Sequence, residues 1–372
     1  MLDGLLAELM EGLPALLVVG PRATGKSTTA RRHVETIVQL DQPGQATVFE
    51  ADPDAALRDL PEPILLDEWQ AVPSVLGAVK RAVDADFRPG RFLLTGSVRG
   101  DLDAKMWPAT GRVVRLEMFP LTVAEQLGRG TVPLIDRAVG AVDLLPASDV
   151  PDLRGYVELA VRGGFPEAAL ARPAVRDRWL ESYVDQMVTR DALDVDGARD
   201  PDRLRRFFHA YAVASAGVVE DKTLYEAARI DRKTAVAYTQ VLKNLMIIDE
   251  LPAWATNRLK RLVRSPKRYL IDPALCASSM GVDVPAVMRS GDVLGRLIET
   301  FVLAQVRAEA TVAGSRPRLF HLRRPDTGRE VDVVAETRGG GIVGLEVKAT
   351  SAPKPDDARH LAWLRDEADR TS

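Results

Sequence analysis

The chain has 372 residues, too many for one hydrophobic core of ordinary size, so two or three domains are expected. Its 46% hydrophobic and 28% charged residues are those of an ordinary soluble globular protein, and 50 basic against 53 acidic residues exclude a surface basic throughout, as in proteins that coat nucleic acid or anionic membrane. A local basic face stays open.

The first segment, MLDGLLAELMEGL, is amphipathic and acidic, without the basic start and apolar core of a signal peptide. No apolar run approaches the roughly 18 residues of a membrane span. The single cysteine, Cys276, cannot form an internal disulfide and has no Cys or His neighbours at metal-ligand spacing. These features describe a soluble, unexported chain in a reducing cytoplasm.

From Ala15 to about Pro120, short apolar runs alternate with amphipathic stretches. ALLVVG precedes a helix from Lys26; then come ATVFEA (46–51) and PILLDE (63–68), a helix across Val75 to Val83, and RFLLTGS (91–97) and RVVRLE (112–117). Continuous apolar strands between helices indicate a parallel sheet covered on both faces. After Pro120 helix-length periodic segments dominate through about Leu245, broken by the loop-like GGFPEA at Gly163 to Ala168 and DVDGARDPD at Asp194 to Asp202. LYEAARI and DRKTAVAYTQVLKNL then read as two helices joined by a tight turn, with Asp231 capping the second, and IIDELPAW and KRYLID as two strands of a wing. A last helix, VLGRLIETFVLAQVRAEA, leads into the strands RLFHLRR, EVDVVAE and IVGLEVKA and a helix from Asp356 to the end. The expected fold class is α/β: a P-loop NTPase parallel sheet, a helical and winged-helix region, and a small α/β unit.

Gly20-Pro21-Arg22-Ala23-Thr24-Gly25-Lys26-Ser27-Thr28 carries G-x-x-x-x-G-K-[ST] between an apolar strand and a helix, the context that a phosphate-binding loop requires. Glycines let backbone amides curl around phosphate oxygens, Lys26 would place its charge on the β and γ phosphates, and the Ser27 hydroxyl would ligate magnesium. ATP is the expected nucleotide. PILLDEWQ ends a strand in Asp67, placed to hold magnesium through water, and Glu68, placed to orient or deprotonate the attacking water. Alone, such an acidic pair is a solvated strand end; after a P-loop it is a Walker B motif.

The order GPRATGKSTTA, LLDEWQAVPSVLGAVKRAVD, FLLTGSVRG, GRVVRLEMFPLTVAE, GGFPEA, Trp179-Leu-Glu-Ser-Tyr183 and Thr189-Arg-Asp191 resembles a widespread group of prokaryotic AAA+-type ATPases. In that group an N-terminal ATPase domain precedes a C-terminal region of unknown function. The resemblance covers nearly the whole chain. It implies that Thr95 and Ser97 act as polar sensors beside the phosphates, although each also reads as a strand-end hydroxyl. Arg112 is the candidate charge-stabilising arginine, in cis or across a subunit contact; it equally suits a surface arginine before a strand. A ring of subunits, a homo-oligomer, is an expectation of the resemblance alone.

The resemblance also implies a winged helix followed by a restriction-endonuclease-like domain. Asp332, then Glu346 and Lys348, reproduce the D…E-x-K spacing of such folds, and Glu299 matches their helical acidic residue. Glu299, Asp332 and Glu346 would hold magnesium, and Lys348 would activate water or stabilise charge on a phosphate. The same residues read as charges on half-exposed strands, and fold does not imply cleavage. Similar proteins continue with at least one more strand, so the resemblance implies truncation at Ser372. Arg232, Lys233, Thr234 and Tyr238 lie where a recognition helix meets a major groove, and Asn257 to Arg264 with Lys267 and Arg268 could grip phosphates; a protein-binding module is the alternative.

The expected layout is thus an AAA+-type P-loop ATPase domain over 1–125, a helical linker or lid over 126–220, a winged helix over 221–275 and a restriction-endonuclease-like domain over 290–372. ATP and magnesium are the expected cofactors and DNA the expected partner, with no membrane. The rival is an ATP-switched binding or signalling module without nuclease activity.

Overall fold

The computed structural model describes residues 1–97, 110–130, 132–140, 150–192, 200–255, 265–324, 327–350 and 352–369. They form two compact units, Met1–Phe119 with Asn244–Met246, and Pro120–Lys243 with Ile247–Ser372. No helix among the described residues is long and apolar enough to cross a membrane.

The first unit is a parallel five-stranded sheet: β1 (Ala15–Val19), β2 (Thr36–Gln39), β3 (Ile64–Asp67), β4 (Phe92–Gly96) and β5 (Val113–Glu117), in the order β2-β3-β4-β1-β5. Strands β1, β3 and β4 are buried at every position, which is why they read as unbroken apolar runs. Helix α1 (Lys26–Ala30) follows the P-loop, and α3 (Val75–Ala85) covers the sheet with Val75, Leu76, Val79 and Val83.

One expected run is displaced. ATVFEA is not a strand but the body of α2 (Pro43–Ala51), started by Pro43 and burying only Phe49. The strand is the preceding TIVQ, an edge strand with one buried residue, Val38. An edge strand needs little apolar cover and so leaves no apolar run in the sequence.

In the second unit, α4 (Leu153–Arg162), α5 (Pro173–Gln186), α6 (Pro201–Val213), α7 (Asp221–Ala227) and α8 (Arg232–Asn244) precede an antiparallel ribbon, β6 (Ile248–Leu251) with β7 (Lys267–Leu270). Asp231 caps α8 as expected, accepting from the Thr234 amide at 2.9 Å. Phe165, Trp179 and Tyr183 form one aromatic cluster, so GGFPEA and the Trp179 motif meet in packing.

Helices α9 (Pro273–Met280) and α10 (Gly291–Val312) lead to an antiparallel sheet, β8 (Arg318–Arg324), β9 (Arg329–Glu336) and β10 (Ile342–Leu345), ordered β10-β9-β8. The closing helix α11 (Arg359–Asp369) packs Leu361 and Leu364 with Val331, Val334 and Phe320. The opposite face packs Val333 and Ala335 against Leu303 and Val306 of α10 and Tyr269 of β7. Val331 and Val334 share a face although three residues apart, because the β8–β9 register shifts between Phe320 and Leu322. Such a bulge breaks the two-residue alternation and turns Asp332 with Val333 toward the α10 side.

Gly164 ties the second unit's chain together: its carbonyl accepts from Leu121 at 2.7 Å and its amide donates to buried Asp272 at 2.7 Å. A Cβ there would lie 2.3 Å from the Leu121 carbonyl oxygen and 2.9 Å from Pro120 Cβ, so the backbone itself would have to move. Gly164→Ala is expected to lower stability by about 1–3 kcal/mol. Calorimetry checks this, and an unchanged melting temperature would refute it.

Candidate functional site

Parallel pairing sets Val18 of β1 beside Thr95 of β4, and Leu66 of β3 beside Leu94. The carboxyl ends of β1, β3 and β4 therefore meet, bringing together the P-loop, Asp67–Glu68 and Thr95–Ser97. Gly20 passes so close to β5's exit that a Cβ would lie 2.2 Å from the Met118 carbonyl oxygen, and Gly25 takes a φ of +91°. Ala23 adopts a positive φ of +60° without glycine's freedom. Thr24 is buried and donates to the Pro21 carbonyl at 2.9 Å, Arg22 is half-buried, and Thr28 faces solvent on α1.

Lys26 is buried, and its ammonium donates to the Pro21 carbonyl at 2.7 Å. Burial draws its pKa down to about 8, against the upward pull of Glu68 and Asp67. Asp67, also buried, is the centre of the site: Oδ1 accepts from Ser27 Oγ at 2.7 Å and from Thr95 Oγ1, while Arg31 lies 3.5 Å from Oδ2. Ser27 and Asp67 thus offer adjacent oxygen ligands, a donor set that suits a hard divalent cation.

Glu68 sits just beyond β3 in left-handed backbone, φ +55°. One carboxylate oxygen accepts from Ser97 Oγ at 2.9 Å and the other from Gln70. Beside it, Gly96 leaves room for the Trp69 indole, whose Nε1 would lie 2.6 Å from a Cβ at that position. Gln70 and Arg31 were missed from sequence. Gln70 follows the acidic pair by two residues and could have been found as its holder, whereas nothing local marks Arg31.

Arg112 is not brought to this cluster. It precedes β5, where Val113 pairs with Ala15 at the start of β1, so it lies at the opposite end of the sheet, roughly 13 Å away along the strands. There it forms an ion pair with Asp84 of α3 at 2.7 Å. A role in cis at this P-loop is excluded by that placement.

Of the C-terminal constellation Glu299 and Asp332 come together, around a cation supplied by the chain. Lys267 Nζ lies 2.5 Å from Glu299, 3.0 Å from Asp332 and 3.3 Å from Glu330. Its side chain is 3% exposed. Asp332 also accepts from the Val347 amide at 2.9 Å, and Tyr269 donates to Glu299 at 2.6 Å. Burial raises Glu299 to about 7 despite the opposing Lys267 charge. Glu346 and Lys348 lie beyond β10 rather than on it, and pair with each other at 2.7 Å. Glu346 Oε2 is buried and has no hydrogen-bond partner among the described residues. Among the described residues no group of three or more His, Cys, Asp or Glu is arranged to hold a metal ion. The expected magnesium therefore does not fit Glu299, Asp332 and Glu346 as they stand: the lysine ammonium takes the point where carboxylates converge.

Several groove-facing assignments change likewise. Tyr238 is buried, its ring tilted against Phe207 with centroids 6.0 Å apart, and its hydroxyl donates to the Asp200 carbonyl at 3.3 Å. Arg268 is buried and engaged by Asp221 and the Val219 carbonyl, so neither it nor Lys267 is a surface phosphate grip. Arg232 and Lys233 are exposed at the start of α8, while Thr234 turns back to Asp231. The basic stretch 257–264 lies outside the described residues.

Comparison with known proteins agrees with this geometry at the N-terminal end. Residues 13–127 match the AAA domain, residues 153–286 a domain of unknown function, DUF8612, and residues 294–372 another, DUF4143. Two uncharacterized proteins, from Mycobacterium bovis and Mycobacterium tuberculosis, are each 29% identical over 347 residues, covering 91% of this chain and 71% of theirs. The solved Walker-type ATPase of Pyrococcus abyssi is similar at a TM-score of 0.46 and 15% identity, over 75% of this chain and 94% of that one. Residues 13–127, which match the AAA domain, carry the P-loop on a parallel α/β fold, and helical and small-sheet regions follow.

The position of Lys26 gives a pH signature without nucleotide. Above about pH 8 the folded protein holds Lys26 uncharged. The unfolded chain keeps that proton up to the ordinary lysine value of about 10.4. The unfolded state binds more protons in this window, so the Lys26 contribution to stability rises with pH across it, by roughly 3 kcal/mol. Denaturant unfolding of wild type and Lys26→Met at both ends of the window checks this: the wild type should gain more, and parallel pH dependences would show the lysine still charged.

Proposed function

We propose that the protein hydrolyses ATP at the carboxyl ends of β1, β3 and β4 and couples its nucleotide state to an interaction with DNA. The observation that carries the catalytic half is the hydroxyl–carboxylate network in which Ser27 and Thr95 share Asp67 while Ser97 and Gln70 hold Glu68. Ser27, directly, and Asp67, through water, would hold magnesium, which when bound neutralises charge on the β and γ phosphates. Lys26 leaves the Pro21 carbonyl to meet those phosphates. Glu68, fixed through both oxygens, accepts a proton from the water whose oxygen attacks the γ phosphorus. The bond from that phosphorus to the β–γ bridging oxygen breaks, giving ADP and inorganic phosphate. Thr95 lies between the two acidic residues, donating to Asp67 and accepting from the Glu68 amide at 3.4 Å, as a sensor of the γ phosphate would.

The DNA half rests on residues 221–275, read as a winged helix: α7, α8 and the β6–β7 ribbon, with exposed Arg232 and Lys233 opening α8. Residues 1–125 would be the ATPase module, 126–220 a lid and 290–372 an endonuclease-like module. Within this reading the version without cleavage is favoured, because Lys267 fills the acidic centre a nuclease would give to metal. The cytoplasm is the compartment proposed.

The test is magnesium-dependent ATP turnover with and without duplex DNA. Lys26→Ala should abolish turnover, and Glu68→Gln should reduce it by about 100-fold or more while ATP binding persists. DNA should change the wild-type rate, and Arg232→Ala should flatten the salt dependence of DNA retention. A wild type that binds ATP and never hydrolyses it under either condition would instead be a nucleotide-stabilised binding protein.

A further inference from the structure

The acidic centre of the second unit is unusual in what neutralises it. Three carboxylates from two elements converge on one nitrogen: Glu299 from α10, and Glu330 and Asp332 from β9. That nitrogen comes from neither element but from β7, the second strand of the ribbon. The ribbon is fastened to the sheet independently of this contact. The His321 amide donates to the Pro252 carbonyl at 2.9 Å, the Trp254 amide donates to the His321 carbonyl at 2.6 Å, and His321 Nε2 lies 3.1 Å from the Ser265 carbonyl. Two segments that precede Lys267, the one leaving β6 and the one entering β7, are thereby held to His321 of β8, which gives the lysine stem a defined entry into the cluster.

Two observations mark the point as a cation position rather than a chance ion pair. The bulge in the β8–β9 pairing turns Asp332 toward Glu299, and an ordinary strand would have no reason to expose an aspartate at a packed face. Glu346 adds a further carboxylate near Asp332, 7% exposed, with one oxygen bound to Lys348 and the other without a partner among the described residues. Glu330 is partly exposed and also faces Arg323 at 3.9 Å, so the Lys267 charge serves chiefly Glu299 and Asp332, and buried carboxylates persist only beside a cation or a proton. An open cavity of about 490 Å³ reaches Glu299 and Glu330 from the side lined by Gly217, Gly295 and Arg296, giving an ion a way in.

We propose that Lys267 is a resident cation: its ammonium stands where a divalent metal would otherwise sit among Glu299, Glu330 and Asp332, and so keeps the C-terminal centre closed to metal while pinning the ribbon to α10 and β9. The inference rests on the endonuclease-like reading only for the identity of the displaced ion. The charge geometry stands without it. The ammonium-to-oxygen distances of 2.5 to 3.3 Å are those of an ion-paired ammonium and are longer than magnesium–oxygen bonds of about 2.0–2.1 Å. Removing the lysine leaves the same oxygens to draw together around an ion from solution.

The experiment titrates Mn²⁺ against full-length, nucleotide-free protein, following free Mn²⁺ by electron paramagnetic resonance and the melting temperature in parallel. Wild type should bind no ion that depends on Asp332. Lys267→Met should gain one equivalent, bound at least roughly 10- to 100-fold more tightly than any site in wild type, with a melting temperature that rises with Mn²⁺. Lys267→Met combined with Asp332→Asn should lose it. Lys267→Gln, which keeps a polar head in the cluster, repeats the test in a gentler background. The proposal is overturned if wild type already binds an equivalent that Asp332→Asn removes, or if the folded lysine variants take up none.

Plasmid nicking in the same samples separates the two readings. A Lys267→Met protein that binds Mn²⁺ and leaves plasmid intact retains the resident cation and removes the nuclease. A wild type that binds Mn²⁺ and nicks does the reverse.

Discussion

The register of three parallel strands is the constraint on which the first unit depends. Thr95 meets Asp67 only because β4 lies between β1 and β3 with Val18 beside Thr95 and Leu66 beside Leu94. A slip of one residue in β4 would turn Thr95 to the other face of the sheet and leave the buried Asp67 carboxylate without one of its two hydroxyl donors. The unbroken apolar character of these strands fixes that register through burial on both faces. Chemistry at the strand ends is thus set by packing in the strand interiors, several residues away from any phosphate.

What could be read from the chain follows from the range of the interactions involved. The P-loop, Asp67, Glu68 and Thr95 were legible because phosphate binding demands particular residue types at fixed short spacings, each beside a strand whose apolarity is visible. The edge strand Thr36–Gln39 was not, since an edge buries little and leaves no apolar run. Tyr238 illustrates the opposite failure. Its place near the start of α8 suggested a groove, but its ring is needed in the core with Phe207, and helical position alone does not say which face is covered.

Lys267 and Arg268 were misread for a related reason. In a run of lysines and arginines, a basic residue destined for burial cannot be told from its solvated neighbours until its carboxylate partners, here Glu299 and Asp332, are brought in from more than thirty residues away. Glu299 and Asp332 were named together because their spacing on helix and strand was visible; Glu330 and the lysine that meets them were not, and Glu346 pairs with Lys348 instead. Arg112 shows how strand direction decides function. A residue before a parallel strand and a residue after it are adjacent to opposite ends of the sheet, and only the after-end carries phosphates.

The hydrogen bond from Lys26 to the Pro21 carbonyl has a consequence for how nucleotide comes and goes. The lysine has two seats, one on the loop's own backbone and one on a phosphate, so arrival of a nucleotide is an exchange of partners in which an internal acceptor, always at hand, competes with the ligand. Every such exchange runs in both directions. After the γ phosphate departs, the vacated charge has somewhere to return to within its own loop, and the spent nucleotide is left with a weaker hold at the moment its release is required.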